Sequence, residues 1–496
     1  MTEIRVFLIV ILLVLLGLCF LKQQWSRRHY PPGPLSLPVI GSIWRMGFRV
    51  SDNILLQLAE QYGNIYTIWL GNLPLVVLSG FQTVKEGLIN NSEDFADRPT
   101  TPFTKALAAG RGIVLSNGHT WKQQRRFGLL TMRKLGLGKK GMELQIEEAA
   151  RQLIENFASM KGQPLEPSFP ITNLISNVIC ALTFGHSFSL EDKSFQKLVE
   201  AIHDSLKVAT SFSYLLYEMF PGIMKHLPGP HQKAFSAIQV VLSYAKEEIG
   251  KHREHESFHE PQDFIDYYLL QLEKKGNKKD PTSTYDCENL AQCINDLFIA
   301  GTDTAATTLL WALLFLTNHP DVQEKVYKEM EDVFGPSCSI AYQDKKKLPY
   351  TNAVIHEIQR REYVLVFGLP RQTLNDVTVN GVLIPKGTMI FADMRSALLD
   401  PEQWETPHEF NPNHFLDKDG NFVAQEAFLA FGAGARTCLG EQLARMEVFI
   451  VLTSLVRAFQ FQLPEGVKEL DSTAVSGLTR HPCPFKICAV PRCSSP

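Results

Sequence analysis

A cysteine near the C-terminus lies in a segment whose composition suits a ligand loop. Residues 430–440 contain three glycines together with Arg436 and Cys438, and they lead into an apolar, helix-periodic segment at residues 441–459. Glycine-rich backbone leaves N–H groups free to point at an anion, and the N-terminus of a helix lowers the pKa of a nearby thiol. The pattern favours either a thiolate that binds a metal or a planar cofactor, or a buried structural cysteine.

A carboxylate and a hydroxyl lie in the middle of a long apolar segment. Residues 286–318 predict one helix, on the order of 50 Å long at 1.5 Å per residue. Its central part contains Ala300, Gly301, Asp303 and Thr304. A glycine and a carboxylate inside a buried helix raise its free energy. The pattern is compatible with a polar kink and equally with a site where the carboxylate and the hydroxyl relay protons.

Two further pairs of residues each share one helix face. Trp121 and Arg125 are four residues apart, so an indole N–H and a guanidinium can bind the same carboxylate. Glu357 and Arg360 are three residues apart and can form an ion pair. Taken alone, the first pair is also explained by ordinary packing and the second by a surface ion pair, which contributes little to stability.

The elements that must position these groups are predicted to be mainly helical. Hydrophobic periodicity indicates helices over most of residues 144–270, interrupted at prolines and glycines. β-branched and aromatic residues predict strands at residues 65–70 and 75–78, and an Asn-Gly dipeptide predicts a hairpin over residues 377–384. Small residues predict a loop at residues 106–112. The fold class is therefore predicted to be mainly α with small β-sheets (α+β).

The N-terminus is predicted to be a single transmembrane helix at residues 4–21. The apolar run is interrupted by one glycine, and no small-residue cleavage pattern follows it, although a cleaved signal peptide is the alternative. Basic residues after the run outnumber the one before it, which places the remainder of the chain in the cytosol. Residues 22–50 are predicted to be a basic and proline-rich hinge, and residues 51–496 a single domain.

Composition excludes several classes of function. The net charge of −3 gives no indication of a nucleic-acid partner. The nine cysteines form no C-x-x-C pair and are odd in number, which argues against a zinc site and against a disulfide framework.

Together, the order and spacing of the motifs resemble the cytochrome P450 superfamily, the haem-thiolate monooxygenases, and in particular the vertebrate family 2 microsomal members. The resemblance covers the chain from residue 31 onward and implies the cytochrome P450 fold. The pairs Glu357/Arg360 and Trp121/Arg125 match two family motifs, and residues 300–304 match a third. The cysteine loop matches F-x-x-G-x-R-x-C-x-G at Phe431, Gly434, Arg436, Cys438 and Gly440.

The resemblance implies a role for each motif in one haem b site. Cys438 would be the axial ligand of the haem iron, and five side chains would hold the haem propionates. Asp303 and Thr304 would be catalytic and deliver protons to dioxygen, while Glu357 and Arg360, with His414, would fix the cysteine loop. The implied cofactor-binding residues are Cys438, Trp121, Arg125, Arg98, Arg371, Arg436, Phe431, Gly440, Ala300 and Gly301, the last two leaving room for dioxygen.

The implied activity is insertion of one oxygen atom from O2 into lipophilic substrates such as fatty acids, steroids or xenobiotics, on the cytosolic face of the endoplasmic reticulum. NADPH-cytochrome P450 reductase would supply electrons, with cytochrome b5 as a further partner. A haem-thiolate isomerase or dehydratase and a non-catalytic haem-binding protein are the alternatives. The implied basic docking face consists of Lys122, Arg126, Arg133, Lys139, Lys140 and Arg445.

The sequence departs from the family pattern at several positions. Ala430 stands where a proline usually precedes the phenylalanine of the cysteine loop, and losing that proline is expected to soften the loop. Ala305 replaces a threonine that often follows Thr304. Arg361, Glu362 and Val366 replace residues that are more often aromatic, glycine and proline, so the shape of the pocket is expected to differ.

Overall fold

The computed structural model describes residues 2–46, 52–136, 140–189, 191–208, 211–255, 260–278, 282–335, 340–366 and 368–492. Its α-helices are α1 (Thr2–Arg27), α2 (Ile43–Met46), α3 (Asp52–Tyr62), α4 (Phe81–Lys85), α5 (Pro102–Ala108), α6 (Gly118–Lys134), α7 (Lys140–Ser159), α8 (Ser168–Phe184), α9 (Lys193–Lys207), α10 (Phe212–Met219), α11 (Pro221–Met224), α12 (Pro230–Glu254), α13 (Phe264–Lys278), α14 (Cys287–Asn318), α15 (Pro320–Phe334), α16 (Pro349–Arg361), α17 (Met394–Leu398) and α18 (Glu441–Ala458).

The strands form small sheets at the margins of the helical body. They are β1 (Ile65–Leu70), β2 (Leu73–Leu78), β3 (Pro164–Leu165), β4 (Arg371–Gln372), β5 (Val377–Val379), β6 (Val382–Ile384), β7 (Met389–Ala392), β8 (Phe459–Gln462), β9 (Ala474–Ser476), β10 (Arg480–Pro482) and β11 (Ile487–Pro491). The largest sheet has the order β1-β2-β7-β4, a second has the order β3-β11-β8, and β5-β6 and β9-β10 are hairpins. The β5-β6 turn places Asn380 and Gly381 at positive φ, as its short loop requires. The prediction of a mainly helical fold with small sheets is confirmed.

Helix α14 is the central element of the body. Asp286 caps its N-terminus by accepting a hydrogen bond from the backbone N–H of Asn289 at 2.6 Å, and Pro320 begins the next helix after its end. Most of its side chains are buried against α8, α12 and α18. Because α14 is buried nearly all round, the few residues that remain open along it mark an internal space.

The N-terminal segment is one continuous helix, α1, and its described apolar side chains are largely exposed. By length and hydropathy, α14 is the helix among those described that could cross a membrane, but it is mostly buried inside the body. Within α1 the corresponding apolar segment, Leu13–Lys22, is shorter than a span. The structure thus leaves the membrane anchor at residues 4–21 a prediction.

Helix α5 differs from the loop predicted at residues 106–112, because it continues to Ala108. Thr101 and Thr104 form a reciprocal capping box, and Pro102 occupies the first helical position. These capping signals lie before the small-residue stretch. They nucleate the helix, and the small residues that follow do not prevent it from continuing to Ala108. The chain leaves the helix only at Ala109, in the left-handed conformation.

Candidate functional site

The cysteine loop is closed by its own backbone. The N–H of Cys438 donates to the carbonyl oxygen of Phe431 at 2.9 Å, and a 3-10 turn spans Gly434–Arg436. Helix α18 begins at Glu441 with Gly440 at its N-cap, so Cys438 precedes the helix and does not lie in its first turn. The Cys438 side chain is exposed although the loop packs between helices. The thiol therefore faces an open space within the protein.

The environment of Cys438 does not by itself favour a thiolate. Burial raises the pKa of Cys438, and this outweighs the backbone N–H of Gly440 and the charges of Arg125 and Arg445, which lower it. The expectation that the loop and helix lower the pKa is wrong, because desolvation by the surrounding protein exceeds the effect of one N–H donor. Ionisation of Cys438 thus calls for a further positive partner, as a bound metal ion would be.

Four arginines converge on one side of this loop. Burial lowers the pKa of Arg98, and repulsion from Arg371, Arg436 and Arg125 lowers it further. Burial likewise lowers the pKa of Arg371 to about 10 and that of Arg436 to about 9. Within the described part of the chain, none of the four forms an ion pair with a carboxylate, although Asp97 attracts Arg436 from a distance. A cluster of this kind is a binding site for an anion.

An unpartnered indole N–H belongs to the same cluster. Nε1 of Trp121 is buried and has no hydrogen-bond partner within the described residues. The guanidinium of Arg436 lies over the Trp121 ring, 4.0 Å from its centroid. Since buried polar groups are nearly always paired, the orphaned N–H indicates a missing acceptor. The predicted association of Trp121 and Arg125 with a carboxylate is consistent with this geometry.

Backbone carbonyls hold the arginines in place. Arg98 donates to the carbonyl oxygens of Leu369 and Pro370 at 2.6 and 2.9 Å. Arg436 donates to the carbonyl oxygens of Ala96 and Ser116, both at 2.7 Å. These neutral acceptors orient the guanidinium groups without neutralising them, so the site retains its positive charge.

Two polar residues that the sequence analysis did not identify support the arginines. The side-chain oxygen of Asn117 accepts from the backbone N–H of Arg98 at 2.7 Å and from Nη2 of Arg436 at 3.2 Å. Asp296, on α14, accepts from the backbone N–H groups of Ile113 and Val114 at 2.7 and 2.9 Å. The signal that would have indicated Asp296 is a carboxylate at an otherwise buried helical position.

On α14, the residues of the predicted dioxygen site differ in the direction they face. Ala300 is exposed and Thr304 half-buried, although most residues of the helix are buried, and Oγ1 of Thr304 donates to the carbonyl oxygen of Ala300 at 2.7 Å. A Cβ on Gly301 would instead lie 2.6 Å from Cδ1 of Ile179 on α8. The glycine thus permits close packing of two helices, and its predicted role of leaving room for dioxygen stays a prediction.

Asp303 turns away from the open side of α14 and toward the C-terminal hairpin. Oγ1 of Thr479 donates to Oδ2 of Asp303 at 2.5 Å, and Nε2 of His481 lies 3.3 Å from the same oxygen. Neither Thr479 nor His481 was identified from the sequence, because both lie far from Asp303 along the chain and no local pattern connects them.

The pair Glu357 and Arg360 is fully buried, so the surface ion-pair interpretation is wrong. Nε and Nη2 of Arg360 donate to the two carboxylate oxygens of Glu357 at 2.7 and 2.8 Å. Glu357 also accepts from the backbone N–H of Asn411 at 2.8 Å, and Nδ1 of His414 lies 3.1 Å away. The remaining donors of Arg360 bind the carbonyl oxygens of Leu398, Pro407 and Glu409.

This network ties α16 to the segment that leads into the cysteine loop. A second link is provided by Arg445 of α18, whose Nη1 lies 2.7 Å from Nε2 of His356 and whose guanidinium lies 4.6 Å from the ring centroid of Phe431. The loop is therefore held from both sides by buried polar contacts.

A family model of cytochrome P450 matches residues 31–489. The chain belongs to the cytochrome P450 family. It is 41% identical over 479 residues to cytochrome P450 2J2 of Homo sapiens, which covers 96% of this chain and 94% of that protein. It is 38% identical over 491 residues to cytochrome P450 2C39 of Mus musculus, covering 99% and 100% of the two chains. Cytochrome P450 2C21 of Canis lupus familiaris is 39% identical over 485 residues, covering 98% and 99%.

Members of the cytochrome P450 family are monooxygenase oxidoreductases that bind haem b through a cysteine thiolate. The residues in this chain fit that cofactor. Haem carries two carboxylates, and the four arginines and the orphaned Trp121 N–H supply the matching donors. The thiol of Cys438 and the side chain of Ala300 on α14 are both exposed, whereas the residues around them are half-buried or buried.

Proposed function

We propose that this cytochrome P450 is a microsomal monooxygenase that inserts one oxygen atom from O2 into lipophilic substrates. The observation that carries the proposal is the unneutralised cluster of four arginines and the orphaned Trp121 N–H beside the open thiol of Cys438. No described carboxylate neutralises these arginines and no described group accepts from the Trp121 N–H, and the carboxylates of haem would supply both the charge and the acceptor.

Each residue of the cluster then has a role toward haem. Cys438 would bind the haem iron through its thiolate, and Phe431 and Gly440 shape the loop that carries it. Trp121, Arg98, Arg125, Arg371 and Arg436 bind the propionates. When bound, the haem supplies the activation of dioxygen, and the thiolate donates electron density to the iron.

Proton delivery is assigned to Thr304 and Asp303. The Thr304 hydroxyl borders the open side of α14 and is oriented by its hydrogen bond to the carbonyl oxygen of Ala300. Asp303 is buried and hydrogen-bonded to Thr479, so proton transfer from Asp303 to Thr304 requires that this bond be broken first. Gly301 contributes indirectly, since its contact with α8 sets the position of α14 at this point.

The lipophilic substrate class is supported by the elements above α14. Helices α5, α10 and α12 meet in an aromatic cluster in which the ring of Phe103 lies 5.0 Å from Tyr214, 5.7 Å from Tyr217 and 5.1 Å from Phe235. Val366, one of the departures from the family pattern, is buried beside the backbone of Leu478, whose carbonyl oxygen accepts its N–H at 3.1 Å. We expect a ligand space bordered by these apolar elements to favour apolar ligands.

A flavoprotein partner is supported by a basic cleft along α6. Lys122, Arg126 and Arg133 line it together with the exposed Leu130. Arg445 contributes little to this face, because it is paired with Glu441 at 2.9 Å. Lys139 and the side chain of Lys140 lie outside the described residues. We assign NADPH-cytochrome P450 reductase, and cytochrome b5 as a second partner, to this cleft because basic faces attract acidic redox proteins.

Membrane attachment is assigned to residues 4–21, followed by a hinge at residues 22–50 and the haem-binding catalytic domain at residues 51–496. The exposed apolar side chains of α1 support this arrangement. A second group of exposed apolar residues around α10 and α11 supports contact of the domain with the membrane on the cytosolic face of the endoplasmic reticulum. That group consists of Phe212, Phe220, Ile223 and Leu227.

The proposal is tested by expressing the protein in membranes and recording the reduced carbon monoxide difference spectrum. Reductase, NADPH and a lipophilic probe are then added. We expect a thiolate-type band and reductase-dependent oxidation, and Cys438→Ser should abolish the band. A preparation without that band would contradict the ligand assignment. A band without oxidation would favour an isomerase or dehydratase, or a non-catalytic haem protein.

A further inference from the structure

Three potential metal ligands come together on the side of α14 that faces the C-terminal hairpin. They are His203 in the last turn of α9, Asp303 on α14 and His481 on β10, and one ligand atom from each lies within 4.8 Å of the others. We propose that these three residues form a binding site for Zn²⁺. Imidazole nitrogen and carboxylate oxygen are ligands that zinc accepts, and three protein ligands leave one position for water.

Two of the ligand atoms are already at coordination distance from each other. Nε2 of His481 lies 3.3 Å from Oδ2 of Asp303. In a tetrahedral zinc site with bonds of about 2.0 Å, neighbouring ligand atoms are also about 3.3 Å apart. Zinc can therefore bind both atoms without moving α14 or the hairpin.

Hydroxyl groups orient these two ligands from behind. Oγ1 of Thr307 lies 3.1 Å from Nδ1 of His481 and can accept a hydrogen bond from it when zinc takes the lone pair of Nε2. Oγ1 of Thr479 holds Oδ2 of Asp303 at 2.5 Å and lies 3.0 Å from Nε2 of His481. Outer hydrogen bonds of this kind are characteristic of metal sites.

The third ligand is positioned to complete the site. The rings of His203 and His481 meet edge to face, with centroids 5.8 Å apart, and His203 is exposed, so its side chain has room to rotate. The end of α9 is already attached to the hairpin, because the N–H of Leu478 donates to the carbonyl oxygen of Leu206 at 3.3 Å.

The absence of paired cysteines in the sequence does not bear on this site, since it uses histidine and aspartate. Zinc at this position would withdraw Asp303 from proton transfer and would fasten α9 to α14 and to the C-terminal hairpin. The inference thus goes beyond the monooxygenase proposal, because it gives the chain an inhibitory metal site.

Zinc binding is tested by calorimetric titration of the full-length, haem-loaded protein in detergent with ZnCl2. We expect one binding event that weakens roughly tenfold or more in His203→Ala and in His481→Ala. The matched control is His226→Ala, which removes an exposed histidine after α11 and should bind zinc as the wild type does. An unchanged event in both site variants, or no event in the wild type, would overturn the proposal.

Two further measurements separate loss of a ligand from loss of the fold. All variants should retain the reduced carbon monoxide band, and zinc should raise the unfolding temperature of the wild type but not of His203→Ala, whose exposed side chain supports no core packing. Because calorimetry does not depend on turnover, a protein that binds zinc without oxidising any substrate would keep the zinc site and reject the monooxygenase proposal.

Discussion

The α-carbon of Gly434 lies so close to the carbonyl oxygen of Leu88 that a Cβ at this position would overlap that oxygen. Gly434 also has a φ of 70°, and the N–H of the next residue, Ala435, donates to Oγ of Ser92 at 2.8 Å. The cysteine loop is therefore fixed by contact with residues 86–92. This contact compensates for Ala430, since a rigid neighbour restrains the loop where the family's usual proline is missing.

Replacing Gly434 with alanine is expected to displace the loop, because both the positive φ and the contact with Leu88 oppose a side chain. The positive φ alone should cost about 1–3 kcal/mol, and the overlap adds to it. Gly432→Ala is a matched control, since Gly432 has a φ of 76° but no atom within 4 Å of the added Cβ. The fraction of protein with a thiolate-type band should fall much further in Gly434→Ala. Equal losses would mean that the Leu88 contact is unimportant.

Trp121→Phe removes the orphaned N–H and keeps most of the ring beneath Arg436. We expect faster loss of haem to a scavenger protein, with a reduction in binding free energy of about 1–3 kcal/mol. Trp44→Phe serves as the control, because Trp44 is exposed and does not belong to the arginine cluster. If haem loss from Trp121→Phe matched that from the wild type, the indole would have no partner on the cofactor.

Glu357→Gln leaves the guanidinium of Arg360 buried without its counter-charge, and we expect a loss of about 3–5 kcal/mol in the free energy of unfolding. Glu148→Gln offers a direct comparison, because Glu148 and Arg151 have the same spacing on an exposed helix face. That substitution should change stability by less than about 1 kcal/mol. Urea denaturation of both variants measures the difference, and similar effects would show that burial does not set the strength of the pair.

Thr304→Ala is expected to keep the thiolate-type band but to release more peroxide for each NADPH consumed. The missing hydroxyl no longer passes protons on the open side of α14. Thr317→Ala is matched, since Thr317 donates to the carbonyl oxygen of Leu313 at 2.7 Å, four residues back, as Thr304 does to Ala300. Unchanged coupling in Thr304→Ala, measured as product per NADPH, would count against the relay.

His252 should make stability depend on pH. Burial lowers its pKa, but the hydrogen bond and charge of Asp263, at 2.8 Å, outweigh burial and raise the pKa to about 9. The folded state then binds a proton that the unfolded chain releases near pH 6.5, so this contribution is complete below about pH 6.5 and is lost as the pH rises to about 9.

The substitution His252→Gln should flatten the fall in unfolding free energy across that window, relative to His226→Gln at an exposed site. Denaturation in urea at pH 6, 7.5 and 9 measures it. An identical pH dependence in the two variants would show that His252 is not stabilised in its charged form.

How far the sequence predicts the structure depends on the range of the interactions. The bounds of α14 and α18 follow from local periodicity and capping, and the hairpin at residues 377–384 follows from its turn residues. The direction of Asp303 does not, because its partners Thr479 and His481 lie in the C-terminal hairpin, more than 170 residues later. The direction of the pKa shift of Cys438 does not follow from local sequence either, since desolvation arises from elements distant in the chain.

The convergence of Arg98, Arg125, Arg371 and Arg436 has a consequence for the life of the protein in the cell. Before haem binds, four guanidinium groups lie close together in the folded chain, and their mutual repulsion lowers the stability of the haem-free protein. Haem relieves this repulsion and shifts the equilibrium away from open, protease-sensitive states. We therefore expect the cellular half-life of this protein to follow haem supply, with blocked haem synthesis shortening it in a pulse-chase experiment.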